Sequence, residues 1–218
     1  GRDGLPVLSA GTFVTTDESP MAQRWGGWYV TGTHGEQYHM GNLTVGNESQ
    51  AEMLDRSRGA NVTDLRRFFD TRPYLSPHSD LVALTVLQHQ VHLHNLITRA
   101  NYETRKALHY EQLLNRELKR GENFRSESTT SRIKSATEPL VRALLFSGEA
   151  KLQGPIKGTT SFATEFAARG PWDSQKRSLR QFDLKTRLFR YPCSYLVYTE
   201  AFDALPKEAK EYVYRRFS

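Results

Sequence analysis

The sequence predicts a mainly α fold, a single domain with an irregular aromatic- and glycine-rich N-terminal wrap and a long central helix. Three observations predict it. Val82, Val86, Leu93, Leu96 and Ala100 recur on one stripe at a 3.6-residue period. Helix-start signals, Thr137-Glu138-Pro139 and Pro206 followed by Glu208, recur towards the C-terminus. Residues 1–62 hold Gly, Thr and Asn with no sustained period of either kind. With 218 residues the chain can bury one full core, so residues 1–62 read as the wrap and 63–218 as the helical body of one domain.

Taken in order, Thr12 to Thr15 is a short extended piece, and Asn61 to Asp70 begins a short helix capped by Asn61 or Thr63. Two prolines in Thr71 to Pro77 make that stretch a connector. The long helix starts near Ser79, capped by Ser79 or His78 with Asp80 at its positive end, and runs to about Arg120 before Gly121. On its far side Arg105, Arg116 and Lys119 point to solvent. Glu122 to Thr130 reads as a polar loop. Ser131 to Thr137 reads as a helix, and Pro139 opens another that stops near Gly148. Gln153 to Thr160 reads as a loop, Trp172 to Leu184 as holding a short helix, and Pro206 to Phe217 as the closing helix.

Apolar residues make up 38% and charged residues 25%, the balance of an ordinary globular chain. No apolar run approaches the roughly 18–20 residues that span a bilayer. The net charge of +6 is uneven: residues 101–190 hold 18 Lys/Arg against 10 Asp/Glu, or +8, and the remainder 12 against 14, or −2. These cations alternate with Glu at helical spacing and lack interleaved aromatics, so they read as a solvated helix surface rather than a nucleic-acid platform. The opening Gly1-Arg2-Asp3-Gly4 carries no signal-peptide pattern and fits the later part of a longer protein. One cysteine, Cys193, excludes an internal disulfide and a Cys-x-x-Cys-His haem attachment within this chain. After Pro192 it reads as an inert buried thiol.

The densest chemistry lies in Ser19 to Gly35, which packs Trp25, Trp28, Tyr29, His34 and four glycines into seventeen residues, with His39 and Met40 close behind. Such a segment reads as a shaped, buried wall. Its Trp rings either pack in the core or present a stacking surface to a planar ligand. The glycines do not match dinucleotide or P-loop spacing. His34 and His39 either brace turns or face a cavity, and Met40 offers a thioether. On the long helix, Val82, Val86, Leu93, Leu96 and Ala100 lie within about 60° of His89, so that imidazole points into the core. It is either a hydrogen-bonded core histidine, on a backbone carbonyl or a Tyr, or a ligand to haem iron or another metal. His89 and His92 are spaced to chelate one ion, whereas His94 diverges and no HExxH pattern is present. The Asn-x-Ser/Thr triplets at Asn42, Asn47 and Asn61 read as chance occurrences.

Three blocks together carry a resemblance: Ser19 to Gly35 continuing to His39-Met40-Gly41-Asn42; Tyr74 to Leu84 with His89-Gln90 and His94-Asn95-Leu96; and Phe189 to Tyr195 with Glu200 to Pro206. They resemble a group of exported bacterial proteins related to cytochromes c, in which a Cys-x-x-Cys-His segment lies upstream of the block matching Gly4 to Gly11. The resemblance spans most of the chain and implies a periplasmic or exported haem-associated redox domain with a redox partner protein. Haem c would be held only with such an upstream segment, and none covalently by this chain. The ligand candidates stay those of the residues: His89, His39 and Met40 for iron, and His34, Trp25 and Trp28 for the wall. Two other readings stand beside it. One is a helical interaction or scaffold domain with structural His and Trp; the other is a metal-dependent hydrolase built on His89 and His92.

Overall fold

The computed structural model describes residues 14–45 and 55–218. They are mainly helical, as expected, with five α-helices: α1 Leu81–Glu117, α2 Glu127–Leu144, α3 Phe162–Ala168, α4 Glu200–Asp203 and α5 Lys207–Phe217. The strands among them are β1 Gly32–Thr33 and β2 Lys157–Gly158. Contacts divide the chain into two compact units, Gly1–His89 with Glu149–Tyr191, and Gln90–Gly148 with Pro192–Ser218.

In the first unit, β1 pairs antiparallel with β2, Gly32 opposite Gly158 and Thr33 opposite Lys157. Both strands meet the start of α1 through Asp80. Its Oδ1 accepts from the N–H groups of Val82 and Ala83 at 2.8 and 3.0 Å, which makes Asp80 itself the helix cap in place of Ser79 or His78. Its Oδ2 accepts from Thr160 N–H at 2.9 Å and from the Thr160 hydroxyl at 2.8 Å. A Cβ at Gly158 would overlap both carboxylate oxygens, so glycine there is a condition of this approach. Trp25, Val30, Leu81, Val82 and Ile156 form the buried cluster around this junction. β2 therefore interrupts the loop expected between Gln153 and Thr160.

Two further expectations fail in this unit. The short turn near residue 65 is a 3-10 helix, Leu65–Arg67, capped by Asp64 rather than Asn61 or Thr63. No helix forms in Trp172 to Leu184; the helix lies earlier, at α3. The Asp173 carboxylate accepts from Gln175 N–H, Arg177 N–H and Arg177 Nε, a side-chain turn that competes with helical bonding. Of the extended piece Thr12 to Thr15, the first two residues lie outside the described ones.

In the second unit the buried row of α1 runs Leu93, Ile97, Ala100, Thr104, Ala107, Glu111, Asn115. Ile97 takes the place expected of Leu96, which is half-buried: the buried row steps four residues from Leu93 and then three or four at a time. α2 is one helix through Pro139, not two. Leu140, Val141 and Leu144 beyond the proline are buried, and α5 packs on this stretch, so tertiary packing holds the helix across the missing N–H. Glu138 joins the pair by accepting from the Tyr212 hydroxyl at 2.5 Å and from Arg216 Nε and Nη2 at 3.1 Å each. Ser126 caps α2 through Thr129 N–H, and buried Glu111 accepts from Ser126 N–H at 2.9 Å. That carboxylate faces the positive end of α2, and its bonds to Ser126 and Thr129 outweigh burial and hold it below the usual carboxylate range. Among the described residues no helix is long and apolar enough to cross a membrane.

Asp80→Ala removes a helix cap and orphans two Thr160 donors, so it is expected to cost about 2–3 kcal/mol. Thr160→Val, which leaves the cap intact, is expected to cost less. Urea unfolding midpoints of the two variants check the order, and equal midpoints would refute the account.

Candidate functional site

The double-tryptophan segment divides inside from outside. Trp25 holds a left-handed backbone conformation, φ 62°, which costs a bulky residue about 1–2 kcal/mol. Its carbonyl accepts from Trp28 N–H, closing the turn over Gly26 and Gly27 and sending the two indoles apart. The Trp25 ring is buried, whereas Trp28 is 56% exposed. Tyr29, also exposed, leans on Phe69 at 4.7 Å and Phe68 at 5.8 Å. Trp28 therefore belongs to the surface and Trp25 alone to the wall.

Behind Trp25 stand both histidines. His39 meets Trp25 edge-on at 5.7 Å and His34 at 4.9 Å, a row of three buried rings. The His39 Nδ1 accepts from Gly41 N–H at 3.0 Å, and a Cβ at Gly41 would strike Val30 and crowd that nitrogen. The His34 Nε2 accepts from Asn61 N–H at 3.0 Å, while Asn61 Oδ1 accepts from His34 N–H at 2.7 Å. A neutral imidazole has one lone-pair nitrogen. Each of these rings has given its own to a backbone N–H, so neither is set up to bind a metal in this arrangement. Burial, then the nearby His34, pushes His39 down to about 4, and burial lowers His34 as well. Two buried atoms in the row find no hydrogen-bond partner, Trp25 Nε1 and His34 Nδ1. Met40 is half-buried, its N–H donating to the Arg24 carbonyl.

His89 differs from both. It is fully buried near the N-terminal end of α1, and its Nδ1 lies 2.7 Å from Asp17 Oδ2. The partner is a carboxylate rather than the carbonyl or tyrosine considered from sequence. Phe189 meets the imidazole edge-on at 5.8 Å and stacks on Phe182 at 5.2 Å, which leans on Phe166. Around the pair lie further buried charges. Arg24 donates Nε to the Ser19 carbonyl at 2.7 Å, Nη2 to the Asp17 carbonyl at 2.8 Å and Nη1 to Gln88 Oε1 at 3.4 Å. Burial lowers this guanidinium, against the pull of Asp17 and Glu149. Glu149, raised by burial, accepts from Leu188 N–H and pairs with Arg187 at 3.6 Å.

Sequence reasoning missed Asp17, Arg24, Gln37 and Asn42. Gln37 donates to the His34 and Gly154 carbonyls and accepts from Gln153 N–H. Asn42 accepts from Val30 N–H and donates to the carbonyls of Val30 and Gly59. Its Asn-x-Ser/Thr triplet was the wrong signal to weigh there; a buried amide can act as a substitute strand. Asn47 lies outside the described residues. His92 is half-buried, and among the described residues no three His, Cys, Asp or Glu stand together as a metal group. Cys193 is half-buried and burial pushes its thiol up, away from nucleophilic character.

Because His39 stays neutral in the fold but titrates near 6.5 when unfolded, the unfolded chain binds more protons between those values. Stability is therefore full above about pH 6.5 and falls by about 2–3 kcal/mol towards pH 4, levelling below that. NMR titration of the His39 ring should give a midpoint near 4; a midpoint near 6.5 would sink the account.

Compared with protein families, curated proteins and solved structures, the chain matches none.

Proposed function

We propose that this chain is the haem-enclosing part of an exported, cytochrome-c-like redox protein, with His89 as its ligand to iron. The observation that carries the reading is the Asp17–His89 pair. A carboxylate beside a ring nitrogen fixes the orientation of the imidazole, the arrangement that lies behind metal-bound histidines. His34 and His39, whose lone pairs serve backbone N–H groups, take the part of wall.

The remaining donors fit the group too. Trp25 Nε1–H and His34 Nδ1–H are buried donors without an acceptor, and a propionate carboxylate is an acceptor of the kind they need. Met40 keeps a thioether near the same turn, a second donor suited to haem iron. Bound haem supplies one-electron chemistry; the protein supplies the ligand, a dry aromatic surround and the donors. Location outside the cytoplasm and a protein redox partner follow from the resemblance carried by the three sequence blocks. Without an upstream Cys-x-x-Cys-His the group is held non-covalently.

Hemin titration of the purified chain, followed at the Soret band, tests the reading. Saturable one-to-one binding with a low-spin spectrum is expected, unchanged in Trp28→Ala and lost or converted to high spin in His89→Ala and in His89→Gln, which better preserves volume. Asp17→Asn is expected to weaken binding about tenfold or more. No saturable Soret change, or an unaltered low-spin spectrum in both His89 variants, would overturn it.

A further inference from the structure

The last turns of α1 and the loop that follows carry an apolar surface of the second unit. Tyr110, Leu113, Leu114 and Leu118 follow at i, i+3, i+4 and i+8 and are 51, 45, 37 and 53% exposed. That spacing puts them on one strip of the helix's end, beside the buried row of Ala107, Glu111 and Asn115. Phe124 in the connecting loop adds a ring that is 45% exposed. Single apolar side chains on a surface need no account, but a run of this size marks a contact surface.

The charges around it select the partner. From Arg105 to Lys134 there are eight Lys/Arg and four Asp/Glu. One of those acids, Glu111, is buried on Ser126. Arg116, Lys119 and Arg120 are exposed within the same two turns as the leucines. The Arg120 guanidinium lies 4.8 Å from the Phe124 ring centre, and Arg132 lies 5.5 Å from that of Tyr110. Aromatics do not alternate with these cations along the chain, yet the fold sets Arg120 and Arg132 over single rings, and long-stemmed cations among leucines are the composition of a helix end that lies in a charged lipid interface. Two copies meeting strip to strip would bring these cations against one another, which disfavours self-association.

We propose that this helix end and the loop after it dock the protein on an anionic lipid surface, with Leu113, Leu114, Leu118 and Phe124 in the acyl boundary and Arg116, Lys119 and Arg120 on headgroup phosphates. No membrane-spanning segment is needed for such contact, and the docking does not depend on haem.

Co-sedimentation with mixed phosphatidylcholine–phosphatidylglycerol vesicles, against phosphatidylcholine alone, tests it. Partitioning into the anionic vesicles is expected, about tenfold or more weaker on the neutral ones and weakened by salt. Leu113→Glu with Leu118→Glu, both at exposed positions, should lower it about tenfold or more at unchanged circular dichroism. As a second readout, Leu118→Trp should shift its emission to the blue with anionic vesicles only. Four results would overturn the proposal. They are no partitioning, partitioning indifferent to the double substitution, a dimer in light scattering that the double substitution dissolves, or equally tight and equally sensitive binding to polyglutamate. The third would assign the strip to a second copy and the fourth to an acidic protein.

Discussion

A chain that enters a core without regular structure must find a partner for nearly every peptide group it buries. That constraint shapes the first unit. Between residues 14 and 45 the repeating ladder is a two-residue strand, so side chains do what a sheet would otherwise do. Asn42 bonds both polar groups of Val30, Asn61 brackets His34, Gln37 holds the 153–154 turn, and Arg24 gathers the carbonyls of Asp17 and Ser19. The same need turns His34 and His39 into acceptors for backbone N–H groups. Composition that looks rich in ligands is, in this segment, largely a substitute for secondary structure.

Against that background His89 stands apart, because its partner is an acid. Acceptance from a backbone N–H ties up an imidazole's lone pair, whereas donation to a carboxylate leaves it on the far nitrogen. At His89 the near nitrogen sits 2.7 Å from the Asp17 carboxylate, a contact that neither His34 nor His39 makes. Burial acts on both neighbouring ionisable groups of this corner, lowering the Arg24 guanidinium and raising the Glu149 carboxyl.

Sequence made the helical part legible because one face repeated long enough to be seen. α1 was placed within a few residues at each end, and α5 began where Pro206 and Glu208 pointed. Local signals failed wherever tertiary contacts outweighed them: Pro139 lies inside α2, Asp173 turned a would-be helix into a side-chain turn, and β2 exists only because Gly158 can approach Asp80. The site was half legible. Period alone aimed His89 inward, yet nothing in a single sequence links Asp17 to it across 72 positions, or tells Trp25 from Trp28. The former needs the fold, and the latter turns on one left-handed residue.

The bonds that complete the first unit also reach far along the chain. Thr31 meets Thr159 across 128 positions, Gln37 meets Gln153 across 116, and Asp80 meets Thr160 across 80. During synthesis the aromatic wrap leaves the ribosome before the strand and glutamine partners that close it and, at about 5–20 residues per second, waits some 6–25 s for them. Through that interval its tryptophans, and the peptide groups that no helix protects, face solvent or a chaperone. Non-local closure of this kind slows folding, so the nascent wrap rather than the finished protein is the state most exposed to aggregation.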